Sequence, residues 1–223
     1  TNVLVDALLD RLIQRSGRSV RAGLAIDANR DLHHHLERLG ASGTIQLMLP
    51  NPVRHELTSI ARGGKVLNDR LRETFATPDD IEAILEATNV EEALNDVLSS
   101  FETWAKREER YDDEAMEDDR VARLDAFLVQ HHDVYDEVTA MKRQRGAPQR
   151  TAIGTGAEVY PEKEDREIMC LAMRLAEIPL EDFGAVLVAT RDSDFTLVAP
   201  SMLEHLGFGV IKNAQTLNQW SVR

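Results

Sequence analysis

Acidic residues recur in this sequence where a strand is predicted to end or a helix to begin, and five have this placing: Asp27, Glu56, Asp165, Asp192 and Asp194. If these carboxylates meet, they repel one another and raise one another's pKa unless a cation neutralises them. A purely oxygen ligand set favours Mg²⁺ or Mn²⁺. The pattern therefore predicts a hard divalent metal site formed by these acids.

Such a site suits the hydrolysis of phosphodiester bonds, because the cation activates water and stabilises the charge that grows on the phosphate. The sequence has no Gly-x-Ser-x-Gly elbow and no Walker A loop, and no Ser, Cys or His is placed as a nucleophile beside a base. Cys170 stands alone, and the adjacent His131 and His132 lack the spacing of zinc ligands. Water is therefore the expected nucleophile.

The elements that must position these acids alternate between strands and helices. Short apolar runs predict strands at 24–26, 45–49, 185–189 and 208–211. Apolar residues at helical spacing predict helices before, between and after them: residues 2–16, 32–39, 51–60, 165–175, 202–206 and 214–220. We therefore expect an α/β fold, a central, mainly parallel sheet flanked by helices, with its ligands at the carboxyl edge of the strands.

Residues 63–150 differ in amino-acid composition from the rest of the chain. They contain helix-forming residues, few strand candidates and dense charge, including the acidic stretch Glu108–Asp119, which is typical of a solvated helix face. We interpret residues 1–223 as a single domain and residues 63–150 as an all-helical insertion within it.

Several fragments of the sequence together resemble the PIN-domain ribonucleases, a family that includes the VapC-type toxins. The fragments occur in the family's order and are Asp27-Ala28-Asn29, Pro52-Val53-Arg54-His55-Glu56-Leu57, Glu164-Asp165-Arg166-Glu167-Ile168 and Thr190-Arg191-Asp192-Ser193-Asp194-Phe195. The last hexamer is the strongest of them. The resemblance covers residues 24–62 and 158–220, about half of the chain.

The resemblance implies a metal-dependent endoribonuclease that hydrolyses single-stranded or structured RNA. It implies that Asp27, Asp165 and Asp192 are the principal metal ligands. Glu56 and Asp194 would complete the site directly or through water. Thr190 would orient a metal-bound water.

Each acid also has a plainer interpretation, because Asp at a helix start commonly caps the helix through its backbone N–H groups. For Asp165 alone this interpretation is preferred, whereas for the acids as a set the metal site is preferred. A cluster of basic residues could follow an RNA backbone or form a solvated loop, and it consists of Lys142, Arg143, Arg145 and Arg150. The formal net charge of −13 weighs against broad electrostatic binding of duplex nucleic acid.

Two other classes of function stay open. One is a non-catalytic PIN-like module that binds RNA or protein, and the other is a structure-specific DNA nuclease. A haloacid-dehalogenase-type phosphatase would place an Asp two residues after Asp27, where this sequence has Asn29. An inhibitory partner such as an antitoxin, or a further domain beyond a chain that begins with Thr1, also stays open.

The predicted compartment is the cytoplasm. Cys170 is the single cysteine and cannot form a disulfide within the chain. The apolar opening segment, residues 2–14, is interrupted by Asp6, Asp10 and Arg11, so we expect neither a signal peptide nor a membrane span.

Overall fold

A computed structural model describes residues 2–17, 24–63, 65–74, 78–99, 115–144, 160–178 and 184–220. Within these ranges, the side chains at 24–29, 61, 63, 65, 66, 70, 73, 74 and 78 are not described. Among the residues that are described, no helix combines the length and the apolar character needed to cross a membrane.

Helices dominate the described residues, and the elements follow in chain order: α1 (Asn2–Ser16), α2 (Leu24–Ala41), α3 (Asn51–Gly63), α4 (Lys65–Thr74), α5 (Pro78–Ala87), α6 (Val90–Leu98), α7 (Asp118–Gln130), α8 (His132–Gln144), α9 (Lys163–Glu177), β1 (Leu187–Ala189), α10 (Ser193–Thr196), α11 (Ala199–Leu206), β2 (Gly209–Ile211) and α12 (Ala214–Trp220). The chain divides into two compact units. The first comprises Thr1–Glu108 with Lys212–Arg223, and the second comprises Glu109–Ile211.

The first unit is built around α1. Leu8, Leu9 and Leu12 are fully buried, because α1 packs against α2, α5 and α6. The expectation that this helix covers a sheet is therefore wrong, although its predicted end is confirmed. The helix stops at Ser16, and Gly17 follows with a φ of +68°, a left-handed conformation that glycine adopts without strain.

The second unit contains the two short strands. β1 and β2 pair in parallel, with Leu187 opposite Gly209 and Ala189 opposite Ile211. The Thr190 backbone N–H extends the ladder by donating to the Ile211 carbonyl at 3.0 Å. Helices α10 and α11 connect the strands, and α11 packs on β2 and α7. This unit brings the carboxyl end of β1 and the start of α10 to one place.

The α/β prediction is wrong, because the described chain is mostly helical and its sheet has only two strands of three residues each. Residues 24–26, predicted as a strand, open helix α2. No Gly or Pro separates these residues from the helical pattern that follows, so one helix runs through to Ala41. A three-residue apolar run does not distinguish the end of a strand from the first turn of a helix.

Residues 45–49, also predicted as a strand, have no regular secondary structure. Leu47 and Leu49 are buried and alternate with less buried neighbours, as in a strand. No described strand pairs with this segment. The alternating leucine side chains are therefore buried without the segment belonging to a sheet. The strand predicted at 185–189 is observed at Leu187–Ala189, where it is half-buried and not covered on both faces.

Predicted helices are confirmed where their signals are strong. Asn51 and Pro52 begin α3, and Asp165 lies in the first turn of α9. The short helices predicted near residues 202–206 and at 214–220 are α11 and α12. The described residues between 65 and 144 contain helices and no strand.

A buried arginine joins helices α7 and α9. Arg120 is only 5% exposed, and it donates to the Glu177 carboxylate at 2.7 and 3.2 Å and to the Ala115 carbonyl at 2.8 Å. We expect Arg120→Met to lower the free energy of unfolding by about 3 kcal/mol, because Glu177 and the carbonyl lose their charged donor. Urea denaturation followed by circular dichroism measures this loss.

Arg123→Met is the matched control, because Arg123 also pairs with Glu177, at 2.6 Å, but its side chain is 51% exposed. An exposed ion pair contributes less than about 1 kcal/mol. Equal losses in the two variants would contradict the structural role of Arg120.

Candidate metal centre

Three of the five predicted acids meet in the second unit. Asp165 lies in the first turn of α9, Asp192 follows β1, and Asp194 lies in α10. One carboxylate oxygen from each lies within 4.8 Å of the others. We call these three residues the carboxylate cluster.

The loop after β1 fixes two members of the cluster through its own hydrogen bonds. The Thr190 hydroxyl accepts from the Asp192 backbone N–H at 3.0 Å, and the Asp192 carboxylate accepts from the Asp194 N–H at 3.2 Å. Asp192 is therefore the N-cap of α10, as the plainer interpretation of these acids allows. The N-cap hydrogen bond uses one oxygen of the Asp192 carboxylate. The Asp192 side chain still lies close to the carboxylates of Asp165 and Asp194.

Lys142, from the last turn of α8, provides the cluster with a positive charge. Its ammonium donates to Asp194 Oδ2 at 2.9 Å and lies 3.2 Å from Asp192 Oδ1. It also lies 4.9 Å from the centre of the Tyr160 ring, which favours a cation electrostatically. Burial alone would lower the pKa of Lys142, but the nearby carboxylates, led by Asp194, raise it above its usual range.

Asp194 is the most enclosed member of the cluster, with 0% of its surface exposed. Tyr135, on α8, donates its hydroxyl to the Asp194 backbone carbonyl at 3.1 Å and so holds the start of α10. Asp194 Oδ1 is buried and accepts no hydrogen bond from an N–H or alcohol group of the described residues. The Asp165 carboxyl group can donate to the Asp194 carboxylate only while Asp165 carries a proton. A buried carboxylate oxygen without a donor is costly, and a bound cation would satisfy it.

Burial and mutual repulsion oppose the presence of three full negative charges in the cluster. Burial raises the pKa of Asp165 to about 8, and the negative charges of Asp192 and Asp194 add to this effect. Burial and the Asp192 charge raise the pKa of Asp194 to about 6, against the opposing effect of Lys142. Without a metal ion, the cluster is therefore stabilised by the Lys142 ammonium and by a proton on Asp165.

The residues present fit a hard divalent cation. The ligand atoms are carboxylate oxygens, they lie close together, and Asp194 offers an oxygen that no N–H or alcohol group of the described residues satisfies. A divalent ion supplies the positive charge that the proton on Asp165 and the Lys142 ammonium supply otherwise. Asp165, Asp192 and Asp194 would hold it.

The two other predicted ligands belong to the first unit. Asp27 lies in the first turn of α2 and not at the end of a strand, and its side chain is outside the described residues. Glu56 is exposed on the second turn of α3. Their roles as ligands stay predictions.

The predicted basic residues have different surroundings. Lys142 contacts the carboxylate cluster, and Arg143 is exposed beside it at the end of α8. Arg145 and Arg150 lie outside the described residues. Binding of an RNA backbone by these residues stays a prediction.

Tyr135, Tyr160 and the ion pairs of Lys142 were not predicted from the sequence. A usable signal existed for Tyr135, since Tyr135, Val138 and Lys142 follow the helical spacing that places side chains on one face. Both Tyr135 and Val138 are fully buried, so the same face turns Lys142 inward.

The raised pKa of Asp165 predicts a pH dependence of stability. In EDTA, the free energy of unfolding is expected to fall as pH rises from about 4 to about 8. Between the ordinary aspartate pKa of 3.8 and the folded value of about 8, the folded protein holds a proton that the unfolded chain has released. The contribution of the Asp165 proton to the free energy of unfolding is thus complete at low pH and lost above about pH 8.

Urea denaturation of the wild type and Asp165→Asn at about pH 5, 7 and 9 measures this contribution, because the difference between the two proteins isolates one carboxyl group. The variant should lose less stability across this range. Parallel profiles for the two proteins would show that Asp165 titrates normally.

Comparison of the chain with protein-family models, with curated proteins and with solved structures gave no match.

Proposed function

We propose that this chain is a Mg²⁺- or Mn²⁺-dependent endoribonuclease that hydrolyses phosphodiester bonds of single-stranded or structured RNA. The observation that carries the proposal is the carboxylate cluster, in which Asp194 is fully buried and keeps one oxygen without an N–H or alcohol donor among the described residues. A cluster that must recruit a proton and a lysine to offset its charge is suited to a divalent cation.

The choice of RNA rests on the sequence resemblance described above, and above all on the hexamer Thr190–Phe195. This hexamer forms the loop after β1 and the start of α10, and it contributes two of the three acids. The resemblance also supports a protein inhibitor as a partner. A cytoplasmic setting for the activity rests on the single cysteine, Cys170, which is a buried free thiol.

The residues around the carboxylate cluster would have two roles, to hold the cation and to fix the backbone that presents its ligands. A divalent cation in this cluster supplies Lewis-acid chemistry: it lowers the pKa of a bound water and neutralises charge on the phosphate. Asp165, Asp192 and Asp194 would hold the cation, and Asp165 would bind it in the deprotonated form. Thr190 and Tyr135 fix the backbone that presents Asp192 and Asp194.

The Lys142 contacts favour a second candidate function. An ammonium within 3.2 Å of two carboxylates already neutralises much of the cluster, as in a purely structural charge network. In that case the chain is a non-catalytic module that binds RNA or protein. The two candidates differ in whether a divalent cation enters the cluster.

Cleavage of labelled single-stranded RNA and matched single-stranded DNA tests the proposal. We expect the wild type to cut RNA in Mn²⁺ and not in EDTA, and Asp192→Asn to be inactive under both conditions. Asp133→Asn is the control, because Asp133 is an exposed acid on α8 outside the cluster. Equal cleavage by wild type and Asp192→Asn would indicate a contaminating ribonuclease.

Cleavage of DNA alone would replace the RNA assignment with a DNA nuclease. No cleavage of either polymer, with enzyme in excess over substrate, would favour the non-catalytic module.

A further inference from the structure

A second group of metal-binding side chains lies on α2, within the first unit. His33, His34 and Glu37 each offer a donor atom, and the three atoms lie within 4.8 Å of one another. The Nδ1 atom of His33 lies 3.5 Å from Glu37 Oε2, and the Nδ1 atom of His34 lies 3.4 Å from the same oxygen. Adjacent residues of a helix do not face each other, but His33 and His34 lie four and three residues before Glu37, and both spacings place a side chain next to it. One carboxylate oxygen therefore faces two imidazole nitrogens.

These distances fit a tetrahedral metal ion. Zinc binds histidine nitrogen and carboxylate oxygen at about 2.0 to 2.2 Å, so two ligand atoms of a tetrahedral site lie about 3.4 Å apart. The separations of 3.5 and 3.4 Å from Glu37 Oε2 match this value. The donor atoms of His33 and His34 lie within 4.8 Å of each other, so one ion would draw them closer together.

Burial prepares His33 as a ligand. Its side chain is only 2% exposed, so the ring is held in one orientation by its surroundings. Burial lowers the pKa of His33, and the positive charge of Arg11 and the neighbouring His34 act in the same direction, whereas Glu37 opposes them. A neutral imidazole is the form that binds a metal ion.

The other two donors leave the site open on one side. The side chain of His34 is 46% exposed and that of Glu37 is 21% exposed. An ion held by the three residues would keep a coordination position for water, as in zinc sites with three protein ligands. The Glu37 carboxylate would offset part of its charge.

We propose that His33, His34 and Glu37 form a binding site for a transition-metal ion of the zinc class, which includes Co²⁺ and Ni²⁺. Two nitrogens and one oxygen select this class, whereas the oxygen-only carboxylate cluster selects Mg²⁺ or Mn²⁺. The proposal is independent of the nuclease proposal, because it uses a different unit, a different donor set and a different metal. The plainer alternative is a pair of histidine–glutamate contacts along one helix.

Isothermal titration of tag-free protein with Zn²⁺, repeated with Co²⁺, tests the site. The parent protein for this experiment carries Asp192→Asn, so that the carboxylate cluster contributes less to binding. We expect one tight site in the parent. Glu37→Gln and His34→Ala should each weaken it by at least about 10-fold, since even outer partners of metal ligands contribute about 10-fold to 100-fold.

His132→Ala is the matched control, because His132 is an exposed histidine beside a carboxylate, Asp133, at 2.9 Å. It should bind Zn²⁺ as the parent does. His34 and Glu37 are partly exposed, so their variants should keep the fold, and far-ultraviolet circular dichroism checks this. Absence of a tight site in the parent, or equal binding by the parent and both α2 variants, would overturn the proposal.

Discussion

Lys142→Met is expected to lower the free energy of unfolding by about 3 kcal/mol in EDTA at about pH 8, the largest stability effect that the carboxylate cluster predicts. The substitution keeps the apolar stem of the side chain and removes the ammonium that contacts Asp194 at 2.9 Å and Asp192 at 3.2 Å. Asp194 is fully buried, so its charge loses its partner in a place that water does not reach. Urea denaturation measures the loss.

Mn²⁺ should restore most of the stability lost in Lys142→Met, because a divalent cation replaces the missing positive charge. Lys163→Met is the control, since Lys163 is 82% exposed in its pair with Glu167 and should contribute less than about 1 kcal/mol. A Lys142 variant that is as stable as wild type in EDTA, or one that Mn²⁺ leaves unchanged, would contradict this role.

Asp165→Asn is expected to reduce metal-dependent RNA cleavage on the order of 10³-fold without lowering the melting temperature. The activity falls because the cation loses a ligand, and metal ions stabilise such transition states by several kcal/mol. The fold does not suffer, because burial, together with the charges of Asp192 and Asp194, raises the pKa of Asp165 to about 8. Below that pH the Asp165 side chain is already neutral, and a neutral amide of the same shape replaces it. A loss of activity without a loss of stability is the mark of a functional group.

Initial cleavage rates and melting temperatures, measured on the same preparations, give both quantities. Asp133→Asn should match the wild type in both. If Asp165→Asn lost stability together with activity, Asp165 would be part of the structural framework rather than a strained ligand.

The helices were predictable from the sequence because several independent signals agree there. At α3, Asn51 and Pro52 start the helix, and Val53, Leu57 and Ile60 repeat at helical spacing and are buried. At α1, the apolar residues and Gly17 mark both the buried face and the end. Where capping, periodicity and termination coincide, local sequence determines the element.

The strands were less predictable because an apolar run of three to five residues is too short to show whether its side chains follow the periodicity of a strand or of a helix. Residues 24–26 continue into a helix, and residues 45–49 lack a neighbouring strand. Pairing partners lie far away in sequence, as Leu187 and Gly209 do, and no local pattern reveals them. The predicted sheet failed for this reason.

The carboxylate cluster was predictable in part. Asp192 and Asp194 share one loop, and Asp165 begins a helix, so local signals found all three. Lys142 was found only as a basic residue, because its contact with Asp194 joins residues 52 positions apart. On α2, His33 is buried because of how the helix packs, and the composition of the helix does not show this.

The central claim is that Asp165, Asp192 and Asp194 bind a divalent cation, and the melting temperature with and without Mn²⁺ tests it most directly. The wild type and Glu37→Gln should both melt at a higher temperature in Mn²⁺ than in EDTA, because a ligand that binds only the folded state stabilises it. Asp192→Asn should show no such shift. Equal shifts in the wild type and Asp192→Asn would contradict the metal site, and with it the proposed nuclease.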